Sequence, residues 1–594
     1  MAIFSKLSWY FRSQWRRYGA AILMLAVVAC LSMVPAWVVG KFVDSVVDKT
    51  LNQALLLRYV LTIVSVVLVV YVLRFLWRAL LYGASYQLGA ILRQRLYQKF
   101  VSMDPWFHQR YGTGDLMARA TNDVAAVEMA AGEGVLTLVD GLITGAVVLG
   151  VLFWFNWKLA LIVLIPWPAM SWVMWLLGEQ LHAAFGNAQR HFSRLNDQVH
   201  YGLTGVRVVR ALGLETHEGK RFTEVVRATT AANAVVAAID AKYEPTIYFT
   251  IGLSFLLCVA GGSWFVHEGS MTLGKMTTFT MYMGHLIWPM FAYGWMLNIV
   301  ERGSAAHRRL EDIFDASPAQ FPGQQEQLDT QQPLTVAIER FCFPDEERAA
   351  LTNVHFTLPA ASTLGVVGRT GSGKSTLVSL VAGLYPLHEG EIRWGDTPIQ
   401  TLSDQTRSQK IAVVPQDPFL FSATIEDNIR LGKPHATFEE VEKAARAACI
   451  HDDILRLADG YQTQVGERGM TLSGGQKQRI SIARALLIDA DFLLLDDALS
   501  AVDARTEAKI LAGFKQLRKD RTTLIVSHRM SAVEHASQIL VLEGGSIVAQ
   551  GAHPALMSQQ GWYAQMVRYQ QWEAALDDGS AIEGGSVIEG GSDE

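Results

Sequence analysis

Six stretches of the chain are apolar over about the 20 residues that a helix needs to cross a bilayer core. They run near Gly19–Gly40, Leu56–Leu73, Val135–Phe155, Leu159–Leu177, Ile247–Phe265 and Thr272–Leu297. Two long segments, between the second and third stretches and between the fourth and fifth, keep apolar residues at helical spacing among polar and basic ones. That periodicity predicts that spans two to five continue as helices well past the membrane. From about Ser317 to Leu334 the pattern turns polar and rich in Gln and Pro, which is a linker composition. After about Asp577 an acidic Ile-Glu-Gly-Gly-Ser repeat predicts a disordered tail over 576–594.

Basic residues set the orientation. Arg12, Arg16 and Arg17 precede the first span, and the two long segments carry Arg93, Arg95, Lys99, Arg110 and Arg119, then Arg190, Arg194, Arg207, Arg210, Lys220, Arg221 and Arg227. The other connections are short. Lys and Arg concentrate on the cytoplasmic side, so both termini and both long segments are expected there. No short apolar region ends in a small-residue cleavage site, so a signal peptide is not expected. Phe4, Leu7, Phe11 and Trp15 recur at helical spacing, which predicts a short helix on the inner membrane surface. The same residues also fit a simple flank of the first span.

The 594 residues are 50% hydrophobic and only 18% charged, too apolar for an ordinary soluble enzyme. A net charge of −5 implies no nucleic-acid partner. Cys30, Cys258, Cys342 and Cys449 lack metal-ligand spacing and read as small buried hydrophobes.

The sharpest chemical signal is Gly368-Arg369-Thr370-Gly371-Ser372-Gly373-Lys374-Ser375-Thr376, a complete G-x-x-x-x-G-K-[ST] run. Ser362–Val367 before it reads as a buried strand and Ser375–Leu384 as a helix. Glycines let backbone N–H groups turn inward around phosphates, and the helix N-terminus favours anions. Lys374 would reach the β and γ phosphates of ATP, and the Ser375 hydroxyl would ligate Mg²⁺. Downstream, the apolar run Asp491–Asp497 delivers Asp496 to the same sheet edge as a second Mg²⁺ group.

Between these elements lies Leu472-Ser473-Gly474-Gly475-Gln476-Lys477-Gln478-Arg479, which resembles the signature motif of ABC ATPases. Further pieces follow in that family's order. Gln416 resembles the Q-loop residue, a Mg²⁺ and water-positioning group. Asp503 resembles the D-loop aspartate, His528 the switch histidine and Glu467 the X-loop acid. Phe343 stands where the family stacks an aromatic ring on adenine; it also fits a strand-core aromatic. Gly112–Asp123 and Gly205–Glu215 resemble the two cytoplasmic loops of type IV exporters, whose short coupling helices dock on the ATPase domains. The resemblance covers about residues 5 to 570 and points to the bacterial multidrug-resistance-like heterodimeric exporters. It implies a six-span α-helical transmembrane bundle over 1–316, a linker over 317–334 and an α/β P-loop ABC ATPase domain over 335–575.

In that family the signature motif caps ATP held by the partner's P-loop, so a second half-transporter is implied. Asp497 departs from the family pattern, which has Glu after the Walker B aspartate to polarise the attacking water. A side chain one methylene shorter predicts a slow, degenerate site here. The intact signature would then complete a competent site on a different partner. A conservative swap with activity retained, in a homodimer, is the alternative.

The substrate is weakly marked. Asp140 and His285 are ionisable residues in spans and therefore candidate substrate contacts, or interhelical hydrogen-bonding groups. Tyr282, Trp288, Phe291, Tyr293 and Trp295 could line a cavity for amphipathic or cationic compounds, or serve as packing. A lipid flippase shares every motif above; an importer or a regulatory ATPase fits less well.

Overall fold

The computed structural model describes residues 2–317, 323–344, 346–466, 469 and 471–577. Glu467 and the acidic tail beyond residue 577 lie outside them. The chain forms two compact units, Met1–Gln98 with Gly114–Asp315, and Lys99–Thr113 with the chain from Ala316 onward.

The first unit is all helical. It contains α1 (Ala2–Lys6), α2 (Ser8–Ser13), α3 (Trp15–Leu31), α4 (Val34–Val47) and α5 (Gln53–Ser102). The helix α6 (Pro105–Arg110) belongs to the second unit. The first unit resumes with α7 (Thr113–Ala118) and α8 (Val124–Met129), each followed by a five-residue π-turn, then α9 (Val135–Leu164), α10 (Pro166–Thr204), α11 (Val206–Ala211), α12 (Glu215–Asp240), α13 (Tyr243–His267), α14 (Leu273–His285) and α15 (Ile287–Phe314). The helical extensions expected from periodicity are present, most plainly in the 50 residues of α5.

Span boundaries differ from the apolar stretches for a local reason. A proline ring clashes with the carbonyl four residues earlier and offers no N–H. Leu31, Leu164, Ala241 and His285 lie four residues before Pro35, Pro168, Pro245 and Pro289, and a helix ends at or beside each of them. Asn156 adds a break inside α9 (φ −161°, ψ 102°), and its Oδ1 accepts the Leu159 N–H at 3.1 Å. Among the described residues, four helical runs are long and apolar enough to cross a membrane: Trp15–Val47, Gln53–Ser102, Thr113–Leu164 and Glu215–His267. The expected spans Leu159–Leu177 and Thr272–Leu297 are each divided at such breaks.

The N-terminal helices bury Ile3, Leu7 and Tyr10 against their own unit and leave Phe4 and Phe11 half-buried and Trp15 exposed. The Tyr10 hydroxyl donates to the Ala84 carbonyl. Cys258 is buried as expected, but Cys30 is exposed on the bundle surface because the buried side of α3 is taken by Leu25, Val28 and Ala29.

Helices α4 and α14 cross through glycine. A Cβ on Gly40 would lie 1.8 Å from Thr278 Oγ1 and 2.4 Å from the Gly274 carbonyl. Gly40→Val therefore forces the pair apart and should cost on the order of 1–3 kcal/mol. It should register as a Tm several degrees lower in the purified protein.

The second unit is α/β. Its strands are β1 (Leu334–Phe341), β2 (Leu351–Leu358), β3 (Thr363–Gly368), β4 (Glu389–Trp394), β5 (Thr397–Pro398), β6 (Ile411–Val414), β7 (Phe492–Asp496), β8 (Thr522–Val526), β9 (Gln538–Glu543) and β10 (Ser546–Gly551). A four-stranded antiparallel sheet has the order β2-β1-β4-β5, and a six-stranded sheet the order β10-β9-β3-β8-β7-β6. In the larger sheet β9, β3, β8, β7 and β6 run parallel. β3, β7 and β8 are buried almost throughout, as strands covered on both faces must be. Parallel pairing brings Gly368, Asp496 and Val526 to one edge, where ligands of open α/β sheets bind.

Candidate nucleotide site

The chain leaves β3 through a loop that only glycine permits. Gly368, Gly371 and Gly373 have φ of 155°, 79° and 94°. A Cβ on Gly368 would sit 2.2 Å from the Leu542 carbonyl, and one on Gly373 would sit 2.6 Å from Leu351 Cδ2. The loop feeds α16 (Lys374–Val381), so its N-terminal N–H groups face the loop's hollow.

A cavity of about 380 Å³ opens there. Thr370 to Thr376, Phe343, Gln416, Asp496, Asp497 and His528 all line it. Lys374 Nζ donates to the carbonyls of Gly368 and Arg369, both at 2.9 Å. Gly368 and Arg369 thus act through their backbone and do not line the cavity. The Ser375 hydroxyl donates to Asp496 Oδ1 at 3.1 Å, which puts the two expected Mg²⁺ groups in contact. Ser372 Oγ is buried without a partner.

Charge in the cavity is under-compensated. Burial raises the Asp496 carboxyl above the usual carboxylate range; neighbouring Asp497 adds to this, while the Ser375 hydroxyl, Lys374 and His528 oppose it. Burial lowers Lys374, against the pull of Asp497 and Asp496. A ligand with anionic oxygens for Lys374 and a cation for Asp496 would reverse both shifts. The donors fit a magnesium triphosphate: an orphaned hydroxyl, a glycine cradle no Cβ could enter, and hard oxygen groups from Ser375, Asp496 and Gln416. Magnesium held there would neutralise phosphate charge.

Asp497 follows β7 in the left-handed region, φ 48°. Aspartate tolerates this better than most residues. Its Oδ1 accepts the backbone N–H of His528 at 3.4 Å, and its own N–H donates to the Val526 carbonyl at 2.9 Å.

The signature residues do not join this cavity. Ser473 is the N-cap of the Gly474–Ile488 helix. Its Oγ accepts the Gln476 N–H at 3.3 Å, and Gln476 Oε1 accepts the Ser473 N–H at 3.0 Å. Leu472 is buried beneath them. Gln478 donates to Ser500 Oγ and accepts from the Ala501 N–H, each at 2.9 Å, which ties that helix to the D-loop. Asp503 caps the Ala504–Leu517 helix through the Thr506 N–H at 2.9 Å, and that bond lowers its carboxyl.

Phe343 is both cavity wall and core: its ring stands edge-on to Phe341 and Tyr385, with centroids 5.3 and 5.7 Å away. Sequence reasoning missed Arg348, Gly544 and Gly545, which also line the cavity and carry no motif.

In the helical unit, Asp140 accepts from Trp288 Nε1 at 2.7 Å and from the Thr144 hydroxyl at 3.2 Å. One helical stripe away, Glu133 accepts from Trp295 Nε1 at 3.1 Å. Glu133 was not singled out from sequence; its spacing of seven from Asp140 was the available signal. His285 ends α14 at the Pro289 break, midway along the expected Thr272–Leu297 span, and is exposed.

The comparisons agree with this geometry. The family described as "ABC transporter transmembrane region" matches residues 18–290, and "ABC transporter" matches 351–500. The chain is 49% identical over 579 residues to the multidrug resistance-like ATP-binding protein MdlA of Escherichia coli (strain K12), covering 97% of this chain and 98% of that one. It is 38% identical to the probable multidrug resistance ABC transporter ATP-binding/permease protein YheI of Bacillus subtilis (strain 168), covering 98% and 99%. It is also 32% identical to the ATP-dependent lipid A-core flippase of Thiobacillus denitrificans (strain ATCC 25259 / T1), covering 95% and 97%. The solved structure of a bacterial Atm1-family ABC exporter with ATP bound superposes with a TM-score of 0.78 at 26% identity, covering 96% of this chain and 99% of that one. With a helical transmembrane domain preceding a P-loop ATPase that couples ATP hydrolysis to transport, the chain belongs to the ABC transporter family, as an exporter of the multidrug-resistance-like kind.

Proposed function

We propose that this chain is one half of a heterodimeric exporter of amphipathic, preferentially cationic compounds. On this reading six spans cross the bacterial inner membrane, with both termini in the cytoplasm. Its own P-loop site binds ATP and Mg²⁺ through Lys374, Ser375, Gln416 and Asp496 but turns over slowly. Its signature residues complete a faster site on a second half-transporter that carries Glu after its Walker B aspartate.

The observation that carries the asymmetric reading is the placement of Asp497. The left-handed backbone and the bond to the His528 N–H hold a short carboxylate back against its own loop. A general base must reach the water it polarises, and a misplacement of order 1 Å can cost about 10²-fold. The capping box at Ser473 and Gln476, outside the chain's own cavity, supports service to another nucleotide.

The substrate class rests on Asp140 and Glu133. Each accepts an indole N–H, and neither makes an ion pair among the described residues. Two uncompensated carboxylates beside indole rings favour organic cations. A lipophilic cation should stimulate ATPase of the co-expressed pair, and Glu133→Gln with Asp140→Asn should weaken that stimulation about 10-fold, with basal turnover kept. Full activity of this chain alone would sink the heterodimer, and unchanged stimulation in the double variant would sink the cation site. The likeness to a lipid A-core flippase favours a second reading, lipid translocation, which transport assays in vesicles separate.

A further inference from the structure

A second cavity, of about 260 Å³, lies at the end of the helical unit that carries the short connections. Its walls include Trp37, Lys41, Asp44, Trp154 and Lys275. The glycine crossing of α4 and α14 forms its back, where Gly40, Gly274 and Thr278 also line it.

Asp44 is already committed. Its Oδ1 accepts the Gly274 N–H at 2.7 Å and its Oδ2 the Thr272 hydroxyl at 3.0 Å. These bonds fix the turn into α14; the carboxylate keeps its charge and lines the cavity with the two lysines, so the wall carries a net positive charge. Neither Lys41 nor Lys275 makes an ion pair among the described residues. Lys41 instead rests over the Trp37 ring, 5.9 Å from its centroid, a contact that leaves its charge intact. Trp154, 83% exposed, stands on the rim. Close by in sequence, Lys158 lies over Trp157 in the same manner, 5.9 Å away. Tryptophan with lysine marks a membrane–water interface.

We infer that this cavity holds the headgroup of an anionic glycerophospholipid. The phosphate diester lies between Lys41 and Lys275, and the glycerol and first acyl carbons lie on Trp37 and Trp154. Two unpaired ammonium groups supply the charge complement, and the indoles supply the apolar shelf a free anion would not use. The site is distinct from the nucleotide cavity and from the Asp140–Glu133 stripe, and it places a lipid-binding site at the end of the bundle that carries the short connections.

The test uses the full chain, purified in neutral detergent and titrated with phosphatidylglycerol, phosphatidylcholine or inorganic phosphate, with binding counted by native mass spectrometry. Phosphatidylglycerol should bind the wild type, and Lys41→Gln with Lys275→Gln should weaken it roughly 10- to 30-fold. Lys41→Arg with Lys275→Arg should restore it. Trp154→Ala, a surface change that leaves folding intact, should weaken it about 5-fold. Phosphatidylcholine affinity should not respond to the lysine changes. Undiminished phosphatidylglycerol binding in the glutamine pair overturns the assignment; if that pair does not fold, undiminished binding in Trp154→Ala does. Competition by inorganic phosphate at the lipid's own concentration would also overturn it, since it would mean a simple anion site.

Discussion

Ser473→Asp should cut ATP turnover of the assembled transporter by about 100-fold, whereas Asp497→Asn should leave at least half of it. The two substitutions change charge in opposite directions, and they differ in which site they reach. Aspartate caps a helix as well as serine does, so the Gly474–Ile488 helix keeps its first turn. What changes is a negative group where a γ-phosphate would meet a hydroxyl and backbone donors. Asp497→Asn keeps size and the bond to the His528 N–H, since an amide oxygen also accepts. It removes only the charge a general base requires. Steady-state ATPase of the co-purified pair checks both. A loss of turnover in Asp497→Asn equal to that in Ser473→Asp would mean that the short carboxylate is catalytically competent and that the sites are equivalent.

Trp106→Ala should lower substrate transport about 10-fold while ATP affinity stays within about 2-fold. Trp106 sits on α6, and its ring stacks on Tyr385 at 5.3 Å and on Phe341 at 6.2 Å. Gln109 adds a bond from Nε2 to the Tyr385 hydroxyl at 3.1 Å. Asp104 caps this six-residue helix through the Phe107 N–H at 2.8 Å, with Pro105 in its first turn. So short a helix has little stability of its own, and its position depends on the aromatic stack. The chain enters α6 from α5 and leaves it into α7, so the segment that packs with the ATPase strands is covalently continuous with the bundle on both sides. Without the indole, the cavity lined by Thr370 to Thr376 would still bind nucleotide, but motion there would no longer be delivered. Parallel measurement of nucleotide binding and vesicle uptake checks it; Trp106→Phe should recover most of the transport.

The P-loop, the Walker B strand and the signature were legible because each is a contiguous run whose chemistry demands particular residues. Glycines at 368, 371 and 373 have no substitute at their φ angles. The helix breaks were legible in principle too, at the carbonyls four residues before Pro35, Pro168, Pro245 and Pro289, but apolar averaging over a span blurs them. Arg348 was invisible because long-range proximity, not local pattern, places it in the cavity, and the Glu133–Trp295 pair was signalled only by the spacing of seven between Glu133 and Asp140.

Gln478 spends both ends of its amide on the loop that follows Asp497. A helix that shifts when its tip meets a neighbour's phosphate must therefore drag that loop along. On the two-chain reading, the slow site is less a failed engine than a gauge, feeling through a single glutamine whether the fast one is loaded.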